Sequence, residues 1–217
     1  MQSASQGTNR PSSRQLVALG VDGASSIRVS AQTEPSGPSA AVKSCRDLIL
    51  NNRVTLIYAD GRTAGAPAPA HCYVKGIIGG SITFHVQLPY PPDWNGHLVH
   101  RGDGGADGDL DFSDSLVGRG YTVVNSNTGH DVGATGDQWA FRDSRAEEDF
   151  AYRAVHFATN AAKTGVQAYY RKPQDHAFHI GCSSGGRQGL LAAQLFPHDF
   201  DGIIAGAPGH RRIARRV

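Results

Sequence analysis

Five consecutive residues, Gly181-Cys182-Ser183-Ser184-Gly185, have the types and the spacing to do chemistry. A serine with glycine two positions away on either side fits G-x-S-x-G, in which a strand turns sharply into a helix and leaves the hydroxyl at the strand's end. The glycines are needed because only residues without a Cβ let two backbones approach that closely, and the serine itself takes a strained conformation. Amides at the start of the helix then face the hydroxyl and favour the anion of a tetrahedral intermediate. The chemistry is attack of Ser183 on an acyl carbon, with the Ser184 N–H as the first oxyanion donor. A second donor should come from the loop after an earlier strand. The glycine-rich run at 101–108 offers the amides of Gly104 and Gly105.

The flanking elements agree with this placement. Residues 177–180 read as the strand entering the elbow, residues 185–195 as the helix leaving it, stopped by Pro197, and residues 202–206 as the next strand. Residues 98–101 and 121–126 read as strands. A long helix opens at Ser144-Arg-Ala-Glu147 with capping-box spacing and carries the apolar stripe Ala151, Val155, Ala158, Ala162, Val166 and Tyr169. Upstream lie shorter strand-like runs at 54–58, 72–78 and 82–88, the last alternating as a half-buried strand does. Strands alternating with helices imply an α/β fold, a mostly parallel sheet with helices on both faces. Residues 1–40, rich in Ser, Gln, Gly and Pro apart from an apolar patch at 16–21, read as a flexible arm before a single domain at 41–217.

Composition narrows the function. A net charge of +2, part of it from the arginines at 211–216, is too small to imply a nucleic-acid partner. No apolar run approaches the ~20 residues that span a bilayer, so no membrane role is expected. The first residues lack the basic and apolar regions of a signal peptide, which leaves a cytoplasmic protein or a natural start elsewhere. With three cysteines, Cys45 and Cys72 can bridge while Cys182 has no partner, or all three are free thiols of a reducing compartment. Asp107, Asp109 and Asp111 have a calcium-like D-x-D-x-D spacing without the glycine and glutamate that complete such a loop, so an acidic surface loop is expected and no metal. Arg101-Gly102-Asp103 spells an adhesion tripeptide at a strand-to-loop junction, which the fold explains. His176 and His179 fall on opposite faces of a strand, poor metal geometry, and read as structural.

The hydroxyl needs an imidazole base and an orienting carboxylate, in the chain order Ser, Asp, His. After Ser183 the candidates are His198, Asp199, Asp201 and His210. They fall too close behind the elbow, with His198 at a helix end and Asp201 in a loop.

The block at 181–189, followed by the run at 196–208, closely resembles the tannase and feruloyl esterase family of α/β-hydrolases. Residues 94–96, the glycine loop at 102–108, residues 127–130 and residues 149–156 extend the resemblance over roughly 45–208. It implies an α/β-hydrolase fold whose C-terminal part and lid are missing here, and hydrolysis of small esters of aromatic acids through an acyl-enzyme, without a cofactor. Calcium in such proteins belongs to the lid. It further implies a disulfide from Cys182 to a cysteine beside the catalytic histidine beyond the chain end, an early disulfide at Cys45 and Cys72, and secretion or a periplasmic location. The chain alone is then expected to be inactive. The rival reading is a silent fragment or interaction module that keeps half of a hydrolase sheet. Oligomeric state has no sequence signal.

Overall fold

The computed structural model describes residues 38–50, 53–131, 133 and 138–209. Among them seven strands form one sheet: β1 (Val54–Arg62), β2 (His71–Ile78), β3 (Ile82–Pro89), β4 (His97–Arg101), β5 (Thr122–Ser126), β6 (His176–Cys182) and β7 (Gly202–Gly206). Their order is β1-β2-β3-β5-β4-β6-β7. The first three are antiparallel, as is β3 to β5, whereas β5, β4, β6 and β7 are parallel neighbours. Only β1 and β3 therefore run against the rest, and the sheet is mostly parallel as expected. Gly79 and Gly80, at φ +62° and +87°, turn β2 into β3 in a conformation that other residues resist.

Helices lie on both faces. On one face sits α1 (Pro38–Arg46), which begins three residues before the expected start of order; proline at a first helical position loses no hydrogen bond. The rest of the arm, and the basic segment at 210–217, lie outside the described residues. The same face carries α3 (Ser144–Glu148), a π turn (Asp149–Arg153) and α4 (Ala154–Tyr170), then α5 (Ser184–Leu195) beside β6 and β7. The opposite face carries α2 (Asp114–Val117), whose Val117 packs on Val123 and Ala68. No helix among the described residues is long and apolar enough to cross a membrane.

Three sequence expectations are corrected. The long helix is capped by Asp143, whose carboxylate accepts from Ala146 N at 3.0 Å, one residue before the expected Ser144. The helix is also not continuous: the π turn holds an extra residue, so Ala151 falls off the fully buried stripe that Val155, Ala158, Ala162, Val166 and Tyr169 keep. Finally, β3 is not half-buried. Phe84, Val86 and Leu88 face α4, and His85 and Gln87 on the other face are equally inaccessible. The loop between β4 and α2 covers them.

Cys45 and Cys72 form a disulfide, tying α1 to β2 with Cα atoms 5.6 Å apart. That decides between the two cysteine readings for this pair. Cys182 is free and exposed. β7 forms one edge of the described sheet, with Ile204 63% exposed.

Candidate active site

Ser183 stands between β6 and α5 at φ +56°, ψ −113°, a region a β-carbon-bearing residue enters only when its surroundings force it. Its backbone is held on both sides. Its N–H donates to Gly206 O at 3.0 Å, and its carbonyl accepts from Arg187 N at 3.0 Å and Gly209 N at 3.1 Å. The residue is exposed, and among the described residues its hydroxyl has no hydrogen-bonded partner.

Three backbones meet behind it. A Cβ on Gly185 would sit 2.7 Å from both Gly102 C and Asp103 O, and one on Gly102 would sit 2.9 Å from Gly185 Cα. A Cβ on Gly181 would overlap the Gly185 backbone. The glycines of strand, helix and loop are thus one requirement, that β6, α5 and the loop after β4 touch. Cross-links fix this contact. Gly185 N–H donates to Asp103 O, Ser184 Oγ donates to Gly105 O, and Gln188 Nε2 donates to Asp107 Oδ2 at 2.9 Å. His179, wholly buried under the turn, donates from Nε2 to Gly185 O at 2.9 Å, and burial lowers its pKa. It supports the elbow from below, and His176 on the opposite face is exposed.

Of the expected loop donors, Gly104 N–H is engaged by its neighbour, Asp103 Oδ1, at 2.7 Å. An oxyanion at that amide would have to displace a carboxyl whose pKa burial, with Asp111 and Asp109 nearby, pushes up to about 6. The acidic loop itself divides. Asp107 is 5% exposed, bonded to Gln188, and in a left-handed conformation at φ +56°, whereas Asp109 and Asp111 are exposed. The surface-loop expectation holds for the last two and fails for Asp107. The carboxylates that do come together, with oxygens within 4.8 Å of one another, are Asp103, Asp109 and Asp111.

None of the expected base candidates is brought to Ser183 among the described residues. His198 is exposed beyond the end of α5. Asp199 pairs with His156 Nδ1 at 2.7 Å, across to α4, and Asp201 accepts from Ala177 N at 2.7 Å. His210 lies outside the described residues.

Sequence reasoning passed over the side chains that hold the glycine loop against the sheet. Asn125 accepts from Asp111 N at 2.9 Å and donates to Arg101 O at 3.0 Å. His85 Nε2 donates to Asp111 O at 3.0 Å, while Gln87 Oε1 accepts from Ser113 N at 3.0 Å and Gln87 Nε2 donates to Asp114 Oδ1 at 2.8 Å. The available signal was asparagine within an apolar strand, a residue depleted there.

With this geometry in place, residues 70–217 match the family described as tannase and feruloyl esterase. The chain belongs to that family. A probable feruloyl esterase B-2 of Aspergillus flavus is 41% identical over 138 residues, covering 63% of this chain and 26% of that protein. A mono(2-hydroxyethyl) terephthalate hydrolase of Piscinibacter sakaiensis is 29% identical over 194 residues, covering 76% and 32%. Among solved structures, feruloyl esterase B from Aspergillus oryzae superposes with a TM-score of 0.69 at 28% identity, over 78% of this chain and 37% of that one. The α/β-hydrolase fold is shared with these esterases. The chain spans about a quarter to a third of the length of the curated relatives it matches.

Proposed function

We propose that the chain carries the nucleophile and part of the oxyanion site of a serine hydrolase acting on small esters of aromatic acids. The observation behind this reading is Ser183 at positive φ between β6 and α5, with the glycine loop crossed over the helix start. In the first half-reaction Ser183 Oγ bonds to the ester carbon as its proton goes to a base, and the alcohol leaves with a proton. In the second, water replaces the serine and frees the acid. The carbonyl oxygen takes up charge beside the Ser184 amide at the positive end of α5, with a loop amide, Gly104 or Gly105, as second donor. The reading assigns the base and its carboxylate to none of the described residues. Family relatives, a feruloyl esterase among them, motivate the aromatic acid.

No cofactor enters this scheme. A location outside the cytoplasm fits the Cys45–Cys72 bridge, which reducing compartments do not sustain. There, the exposed Cys182 thiol beside the nucleophile is free to join a second cysteine near the base. Turnover of methyl ferulate and methyl gallate by the full-length protein, with and without Ser183→Ala, tests the reading. Hydrolysis of at least one ester, reduced at least ~10³-fold by the substitution, is expected. Activity that survives Ser183→Ala removes Ser183 from the mechanism, and no turnover of either ester favours the interaction module.

A further inference from the structure

Asn125 occupies a position on β5 that is 1% exposed, between Val124 and Ser126 in a five-residue strand buried along its whole length. A primary amide in such a place is costly unless both its donor and its acceptor are used. Both are used, and on groups far apart in sequence: Nδ2 donates to Arg101 O and Oδ1 accepts from Asp111 N. Arg101 is the last residue of β4, and Asp111 closes the excursion that contains Gly104 and Gly105. One side chain therefore clasps both feet of the glycine loop to the sheet. The apex is fixed from the other side by Gly185 N and Ser184 Oγ, which bond to Asp103 and Gly105 carbonyls. With the feet held by Asn125 and the apex by Ser184 and Gly185, the two sets of anchors together constrain the Gly104 and Gly105 amides.

We propose that Asn125 is a positioning residue for the Ser183 reaction, acting through the span of the 101–111 loop on the Gly104 and Gly105 amides. This rests on the function proposed above. Asparagine is the residue that fits because one foot requires an acceptor and the other a donor. Aspartate meets the Asp111 amide but turns a charged oxygen on the Arg101 carbonyl. Leucine fills the volume and leaves both backbone groups unpaired. His85, level with Asn125 across β3 and β5, bonds the carbonyl of the same Asp111, so that foot stays partly held in either variant.

The test uses Asn125→Asp and Asn125→Leu in the full-length protein, with steady-state kinetics on methyl ferulate and residue-resolved amide hydrogen exchange. The expected result is a kcat ~10- to 100-fold lower with KM within about twofold, since misplaced donors weaken the transition state more than the bound ester. Exchange should quicken at residues 103–111 and stay unchanged in β3 and α4. A variant with unaltered exchange at 103–111 and unaltered kcat overturns the proposal. So does a loss of kcat that merely follows the fraction of unfolded protein, with faster exchange throughout the sheet. Should the wild type hydrolyse neither methyl ferulate nor methyl gallate, the functional reading fails on its own, and the exchange comparison still decides whether Asn125 holds the loop.

Discussion

On one side of β3, Phe84, Val86 and Leu88 pack against α4; on the other, His85 and Gln87 hold the loop and helix that follow β4. All five are at most 2% exposed. The first face is stabilised by apolar area and tolerates any well-shaped side chain. The second is stabilised only because its buried polar atoms find partners, on the loop after β4, at the start of α2 and on Tyr73 of β2. The dry face sets how stable the domain is, and the polar face sets where the glycine loop stands. The two faces should therefore respond to mutation in different observables.

The severest break is where loop and helix meet. Gly185→Ala puts a methyl group 2.7 Å from the backbone of residues 102 and 103, which cannot move without leaving the elbow. Loss of soluble folded protein, or of more than ~100-fold in turnover, is expected from expression trials and kinetics. Next comes the dry face. Phe84→Ala should cost ~3–5 kcal/mol and lower Tm by about 6–20 °C, leaving kcat unchanged at temperatures where the variant is folded. Cys72→Ala opens a bridge spanning 27 residues and should cost ~3–4 kcal/mol in chemical denaturation, again without a kinetic effect. Gln87→Leu is the mirror case: leaving Ser113 N and Asp114 without their partner should cost only ~1–3 kcal/mol while lowering kcat. A Phe84 variant that changes kcat, or a Gln87 variant that does not, breaks the division between the faces.

The smallest effect is on pH dependence. Burial lowers the His85 pKa to about 4, so the fold favours the neutral ring. Its contribution is complete above the ordinary imidazole value of 6.5 and is lost as the pH falls through about 4. Asp103, raised to about 6 by burial, has the opposite sign: its contribution is complete below 3.8 and is lost as the pH rises through about 6. His85→Gln should flatten the fall in Tm on acidification between pH 6.5 and 4, and Asp103→Asn should steepen it. Thermal melts across that range check both.

The apolar half of this arrangement is legible in the sequence. Alternation marks Phe84, Val86 and Leu88, the four-and-three spacing marks Val155 through Tyr169, and the glycines around Ser183 mark the elbow. The polar half is hidden because His85 and Gln87, in an alternating strand, look like residues on a wet face; only the tertiary position of the 102–113 loop makes them interior. In the same loop, the even spacing of Asp107, Asp109 and Asp111 makes the three look alike. Spacing along the chain cannot show that a left-handed residue turns it inward to Gln188. Asp143 displaced Ser144 as the cap because two adjacent residues compete for one helix start and local pattern fits either.

The most direct test of the account is mapping the adduct formed when the full-length protein reacts with a fluorophosphonate. A single modified peptide carrying the phosphonyl group on Ser183, absent in Ser183→Ala, is the result the account requires. Modification at another residue, or labelling that survives the substitution, would contradict it.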